Sequence, residues 1–176
     1  EEAGVELISP QFANSNVDLP ALPAEAYRLV TDRKTYGIMD IGGDDRGAYA
    51  LGRYVPGILE ENNYRMIFVA NASRPLTRTP EDAMEVMGEI EAACGLRFTD
   101  LVNNTNLGDL TTAETVLKSQ EYMEKLSKLS GLPIFMTTAK ADVAAQLELP
   151  NVLPLNLQEK YFDLPSQKPG NRPLWG

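Results

Sequence analysis

Asp40 sits in the segment Ile38-Met39-Asp40-Ile41-Gly42-Gly43-Asp44-Asp45, at the end of a short apolar run and three residues before a second glycine. A carboxylate at a strand end can hold Mg²⁺ through a water. A glycine amide three residues on can approach a terminal phosphate because no side chain intervenes. The same spacing also serves a plain chain turn, and both readings stand on spacing alone. A dinucleotide fingerprint does not fit: Gly42, Gly43 and Gly47 give G-G-x-x-x-G rather than G-x-G-x-x-G, and Asp44 and Asp45 would repel a pyrophosphate. Asn103 closes another apolar run, where an amide can either contact a ligand or cap a loop. Arg74 and Arg78 could grip a phosphate or a carboxylate, or simply line a solvated loop leading to Thr79. Cys94 reads as a small buried hydrophobe, and Tyr49 and Tyr54 as packing residues.

Other chemistries are excluded by what the chain lacks. There is no histidine, so Ser-His-Asp and Cys-His catalysis and His-ligated metals are out. One cysteine permits no internal disulfide, which suits a reducing, cytoplasmic setting. No apolar run is long enough to span a membrane and no signal-peptide pattern is visible. A net charge of −9 gives no general attraction for nucleic acid.

The elements that must position these residues follow from alternating patterns. Apolar runs at 5–8, 36–41, 65–70, 98–102 and 132–137 predict five strands, with an edge strand near 151–157 because Pro154 forbids a central place. Helices are predicted from Pro23 to about Val30, and from about Asp45 to Glu61, with Pro56 kinking or dividing the second. Thr79-Pro80-Glu81-Asp82 opens a helix that Gly95 stops, and Thr111-Thr112-Ala113-Glu114 opens one that Gly131 stops. A short helix spans 142–147. The expected buried residues are Ala48, Leu51, Val55, Ile58 and Leu59; Ala83, Val86, Met87 and Ile90; and Val116, Leu117, Met123, Leu126 and Leu129. The alternation predicts an α/β fold, a doubly wound and mostly parallel sheet with helices on both faces. It occupies residues 1–157, followed by a proline-rich tail at 158–176. Ligands of such sheets bind beyond the carboxyl ends of the strands.

Several stretches together resemble the MinD/ParA/CobQ-type P-loop ATPases, the class that contains nitrogenase iron protein. More narrowly, the chain resembles a bacterial ParA-like ATP-binding group. The stretches are Ser9-Pro10-Gln11-Phe12-Ala13-Asn14, Asp40-Ile41-Gly42-Gly43-Asp44-Asp45, Arg74-Pro75-Leu76-Thr77-Arg78-Thr79 and Leu101-Val102-Asn103-Asn104-Thr105-Asn106-Leu107-Gly108. The resemblance covers most of residues 1–145. It implies that Asp40 is the Walker B aspartate on the Mg²⁺ side, that Gly42 and Gly43 line the phosphates with Gly43 as the D-x-x-G glycine, and that Asn103 contacts adenine. It implies ATP and Mg²⁺ as cofactors and a homodimer across the nucleotide face.

One part of the pattern is missing. G-x-x-x-x-G-K-[ST] occurs nowhere in this chain, since no lysine is preceded by the glycine pattern. The resemblance places that loop in a strand-helix-strand unit ahead of the equivalent of Glu1, and Glu1 is not a methionine. The expectation is therefore an incomplete nucleotide-binding domain that neither holds ATP tightly nor hydrolyses it alone, with unpaired sheet edges that close, rearrange or pair with a second chain. Two other readings accompany it: a non-catalytic α/β scaffold, and an ATP-dependent CobQ/CobB-like synthase.

Overall fold

The computed structural model describes residues 4–8, 24–42 and 45–157. The loop expected at 11–20 and the tail at 158–176 lie outside the described residues. A 3-10 turn at Ala24–Tyr27 leads into α1 (Arg28–Thr31). The long helix expected after Asp45 is divided into α2 (Asp45–Leu51) and α3 (Val55–Glu61). Pro56 falls in the first turn of α3, where its missing N–H costs nothing.

From residue 67 the alternation becomes regular. The elements are β1 (Ile67–Ala70), α4 (Pro80–Cys94), β2 (Asp100–Asn103), α5 (Ala113–Ser130), β3 (Ile134–Lys140), α6 (Ala141–Ala144) and β4 (Val152–Leu155). The four strands form one parallel sheet in the order β1-β2-β3-β4. This is the α/β architecture that the alternation predicts, wound sequentially as in one half of a doubly wound sheet. Ile67 pairs with Asp100 and Val69 with Val102, and a bulge between Leu101 and Val102 shifts the register against β3. β4 is the edge strand, and Pro154 sits in it as an edge permits.

Local signals set the two long helices. The Thr79 hydroxyl accepts from the Asp82 N–H and the Asp82 carboxylate accepts from the Thr79 N–H, both at 3.1 Å. Gly95 ends α4 at φ 81°, a conformation that disfavours any side chain with a Cβ. α5 starts differently from the pattern read in the sequence. Its cap is Thr112, reciprocally bonded with Thr115, rather than Thr111 with Glu114. Thr111 instead ties down the preceding turn, and Glu114 pairs with Lys118 one turn along.

α4 and α5 pack on each other and on one sheet face. Their core contains Phe68, Ala70, Leu101, Ala83, Met87, Ile90, Met123 and Leu126, continued by Ala48, Leu51 and Val55. Leu59, Leu117 and Leu129, expected inside, are about half exposed, because each lies at the margin of its helix's apolar stripe. Alternation along β1 turns Ile67 and Val69 to the opposite face, where Val69 is 59% exposed.

Two of the five main expected strands are not strands. Residues 5–8 pair with nothing as a strand, and Val5 and Leu7 are 66% and 85% exposed. Residues 36–41 likewise join no ladder. Among the described residues no helix is long and apolar enough to cross a membrane.

Candidate functional site

The Asp40 segment keeps strand-like alternation without strand hydrogen bonds. Met39 and Ile41 pack against the core, while Ile38 is 87% exposed and Asp40 also faces solvent. Asp40 makes no hydrogen bond or ion pair with the described residues. α2 begins immediately beyond, and its Gly47 lies tight against Gly42. A Cβ on Gly47 would stand 2.7 Å from the Gly42 carbonyl oxygen and 3.0 Å from its nitrogen, so only glycine fits without displacing backbone. Gly43 lies outside the described residues.

The carboxyl ends of β1 and β2 are laced together by their own side chains. Asn71 Oδ1 accepts from the N–H of Ser73 at 2.9 Å and of Asn106 at 3.4 Å. Thr105 Oγ1 accepts from the Ala72 N–H at 3.1 Å, and the Thr77 hydroxyl donates to the Asn71 carbonyl at 2.9 Å. The Thr138 hydroxyl donates to Asn104 Oδ1 at 2.7 Å, bringing β3 into the same network.

Asn103 anchors this region from beneath. It is 0% exposed. Its amide nitrogen donates to Ser119 Oγ at 2.8 Å, and its oxygen accepts from the Thr105 N–H at 3.1 Å. Ser119 in turn donates to the Val116 carbonyl at 2.7 Å. Both ends of the Asn103 amide are thus engaged within the chain, as a loop-capping asparagine requires.

The remaining candidates separate clearly. Cys94 is buried and accepts from the Leu96 N–H at 3.4 Å, as a structural cysteine does. Tyr54 is buried against Tyr27, with ring centroids 4.8 Å apart, whereas Tyr49 is exposed. Arg74 and Arg78 flank a 3-10 turn at Pro75–Thr77, and both are exposed.

Two features were not foreseen from the sequence. At the opposite end of the sheet, Arg65 Nε donates to Asp100 Oδ2 at 3.0 Å, and the guanidinium lies 3.9 Å over the Phe135 ring. That hydrogen bond holds the Asp100 carboxyl below the usual carboxylate range, with help from the Thr99 hydroxyl and against the effect of burial. Its signal in the sequence is an acid heading an apolar strand. The other feature is Tyr122, whose buried hydroxyl has no hydrogen-bond partner among the described residues. Burial, followed by the nearby Asp82 charge, pushes its pKa up to about 12. A cavity of about 260 Å³ between α5, β3 and the 149–151 turn shares no residue with the Asp40 segment.

The described residues fit MgATP incompletely. They contain no group of three or more metal-ligating side chains, and no lysine in the chain follows a phosphate-binding glycine loop. Among the described side chains Asp40 has no second carboxylate grouped with it as a metal-ligating cluster. Comparison with protein-family models, curated proteins and solved structures gives no match for this chain.

Proposed function

We propose that this chain is the greater part of a ParA/MinD-like ATP-binding protein, with its phosphate-binding loop supplied by polypeptide not contained in this sequence. The complete protein would bind MgATP, act as a cytoplasmic homodimer and couple hydrolysis to a partner. The observation that carries the reading is the placement of Asp40. It is solvent-facing and unpaired among the described residues, held between core-packed Met39 and Ile41, and followed by the tight Gly42–Gly47 approach that leads into α2. A carboxylate so fixed is available to a metal, whereas a turn-forming aspartate would ordinarily bond its own backbone.

Calorimetry tests this. The present chain should give no heat with ATP and Mg²⁺. The polypeptide extended to include a G-x-x-x-x-G-K-[ST] stretch should bind and hydrolyse ATP, and Asp40→Asn should reduce turnover by roughly a hundredfold or more while sparing most of the binding. Equal turnover in that variant, or a gene without such a stretch, overturns the proposal.

A non-catalytic α/β scaffold is the second reading. It is favoured by Asn103, whose amide is spent on Ser119 and Thr105 rather than left open for a base. A complete gene product that binds no nucleotide would establish it.

A further inference from the structure

The three crossovers of the sheet are unequal. β1 reaches β2 through α4, of 15 residues, and β2 reaches β3 through α5, of 18, but β3 reaches β4 through α6, of only four. A third long helix would lie along the flank of α5 and over the amino end of β3. Among the described residues none does, and the cavity of about 260 Å³ opens there, just ahead of β4.

Its wall is mainly apolar. Ile134 and Met136 of β3 line it, both half-buried, together with Leu149 and Pro150 of the turn. That turn is pinned by the sheet. The Thr137 N–H donates to the Asn151 carbonyl at 3.0 Å, and Asn151 holds φ 54°, a left-handed conformation that asparagine tolerates. On the α5 side, Gln120 Nε2 donates to the Val116 carbonyl at 3.3 Å. A wall held by the chain's own bonds is largely formed before a ligand enters, so binding orders little.

Glu124 is the one charged residue lining the cavity. Along α5 the same four-residue spacing pairs Glu114 with Lys118 at 2.7 Å and Glu121 with Lys125 at 3.9 Å, whereas Glu124 and Lys128 form no ion pair. The Glu124 carboxylate has no partner among the described residues and borders apolar surface instead. No lysine or arginine lines the cavity, and a net charge of −9 favours cations over anions at its mouth. One unneutralised carboxylate beside an apolar wall complements a protonated amine on an apolar body. An apolar cavity of roughly 150 Å³ takes benzene, so one of about 260 Å³ has room for an aromatic ring with a short arm.

We propose that this cavity binds a small organic cation, a protonated amine on a short apolar body, with the ammonium at Glu124 and the body against Ile134, Met136, Leu149 and Pro150. The site does not depend on the nucleotide reading.

The experiment uses this chain without nucleotide, with phenethylamine as the probe and phenethyl alcohol as its uncharged counterpart. Methyl NMR at about pH 7, where the amine is protonated, follows Ile134 and Met136. Phenethylamine should shift both in a titration that saturates at roughly millimolar concentration, and bind more weakly as salt rises. The alcohol should bind roughly threefold or more weakly. Glu124→Gln should weaken amine binding roughly three- to tenfold and leave alcohol binding unchanged. Glu114→Gln, about 15 Å away along α5, should change amine binding less than about twofold. Circular dichroism melts of both variants should match the parent within a few degrees, because both side chains are exposed.

No saturable shift at Ile134 and Met136, equal affinity for amine and alcohol, or a Glu124→Gln variant that binds the amine as the parent does overturns the proposal. An equal loss in Glu114→Gln also overturns it, by making the attraction a property of the whole acidic surface.

Discussion

Residues 36–41 and β2 are both largely apolar segments with a polar side chain at or next to their carboxyl end, Asp40 in one and Asn103 in the other, yet the molecule treats them oppositely. In β2 all four residues are buried, with parallel partners on both sides. In 36–41 only Met39 and Ile41 pack inward, while Ile38 and Asp40 face solvent and no strand runs alongside. Local pattern sets which side chains point together. Whether the segment becomes a strand depends on a neighbour offering backbone donors and acceptors, and that neighbour comes from far along the chain.

The contrast can be broken most forcefully at Leu101. It is fully buried in β2, and Leu101→Ala should cost about 3–4 kcal/mol in urea unfolding, whereas Ile38→Ala should cost less than about 0.5 kcal/mol. Similar losses at both sites would mean that the two segments are held alike.

Asp100, at the start of β2, comes next. Asp100→Asn should cost about 2 kcal/mol by loosening the charge-assisted bond to Arg65. Its folded pKa lies below the unfolded one, so the pair's contribution is fully present above the unfolded carboxylate pKa of about 3.9. It is lost as pH falls through the folded value. The urea midpoint of the parent should therefore drop on acidification below about pH 4, and Asp100→Asn should flatten part of that drop. An identical acid profile in the variant would remove this pair from the acid response.

Asn103→Ala should cost about 1–2 kcal/mol, because it leaves the buried Thr105 N–H without its acceptor and takes from Ser119 the hydrogen bond it accepts, while Ser119 keeps its donation to Val116. Hydrogen exchange at Thr105 should quicken in that variant, and unchanged protection would mean that the amide is not holding the loop. Among the substitutions that remove a contact, the smallest expected loss is at the α4 cap, where Thr79→Ala should lower stability by about 1 kcal/mol, readable as a shift in thermal midpoint.

Much of the 67–157 region was legible because its signals are local. Thr79 with Pro80 and Asp82, Gly95, and the apolar run at 67–70 each state their element within a few residues. What escaped the sequence depended on distance or on close competition. Arg65 and Asp100 meet only because β1 and β2 align. Asn103 found Ser119 only when α5 folded back over β2, so an amide open to ligand and an amide already engaged looked alike. At α5 the adjacent Thr111 and Thr112 both offered a cap, and Thr112 prevailed once Thr111 was committed to Leu107 and Gly108. Asp40 was expected at the end of a strand, and it lies instead on an exposed segment that joins no sheet, because the absence of strand pairing there lay outside any local pattern.

The strand order carries a further consequence for how the chain matures. Ile67 waits for Asp100, and Leu101 waits for Ile134, across equal stretches of polypeptide, each stretch holding one helix. Nothing in this sheet requires an early strand to be held open for a late one to slip between. Emerging from a ribosome, the region can zip from its amino end, each new strand laid on the outer flank of the last. β1, the first of these strands to emerge, has no strand paired on its outer flank among the described residues, so that edge can accept further extended backbone without disturbing the order already laid down.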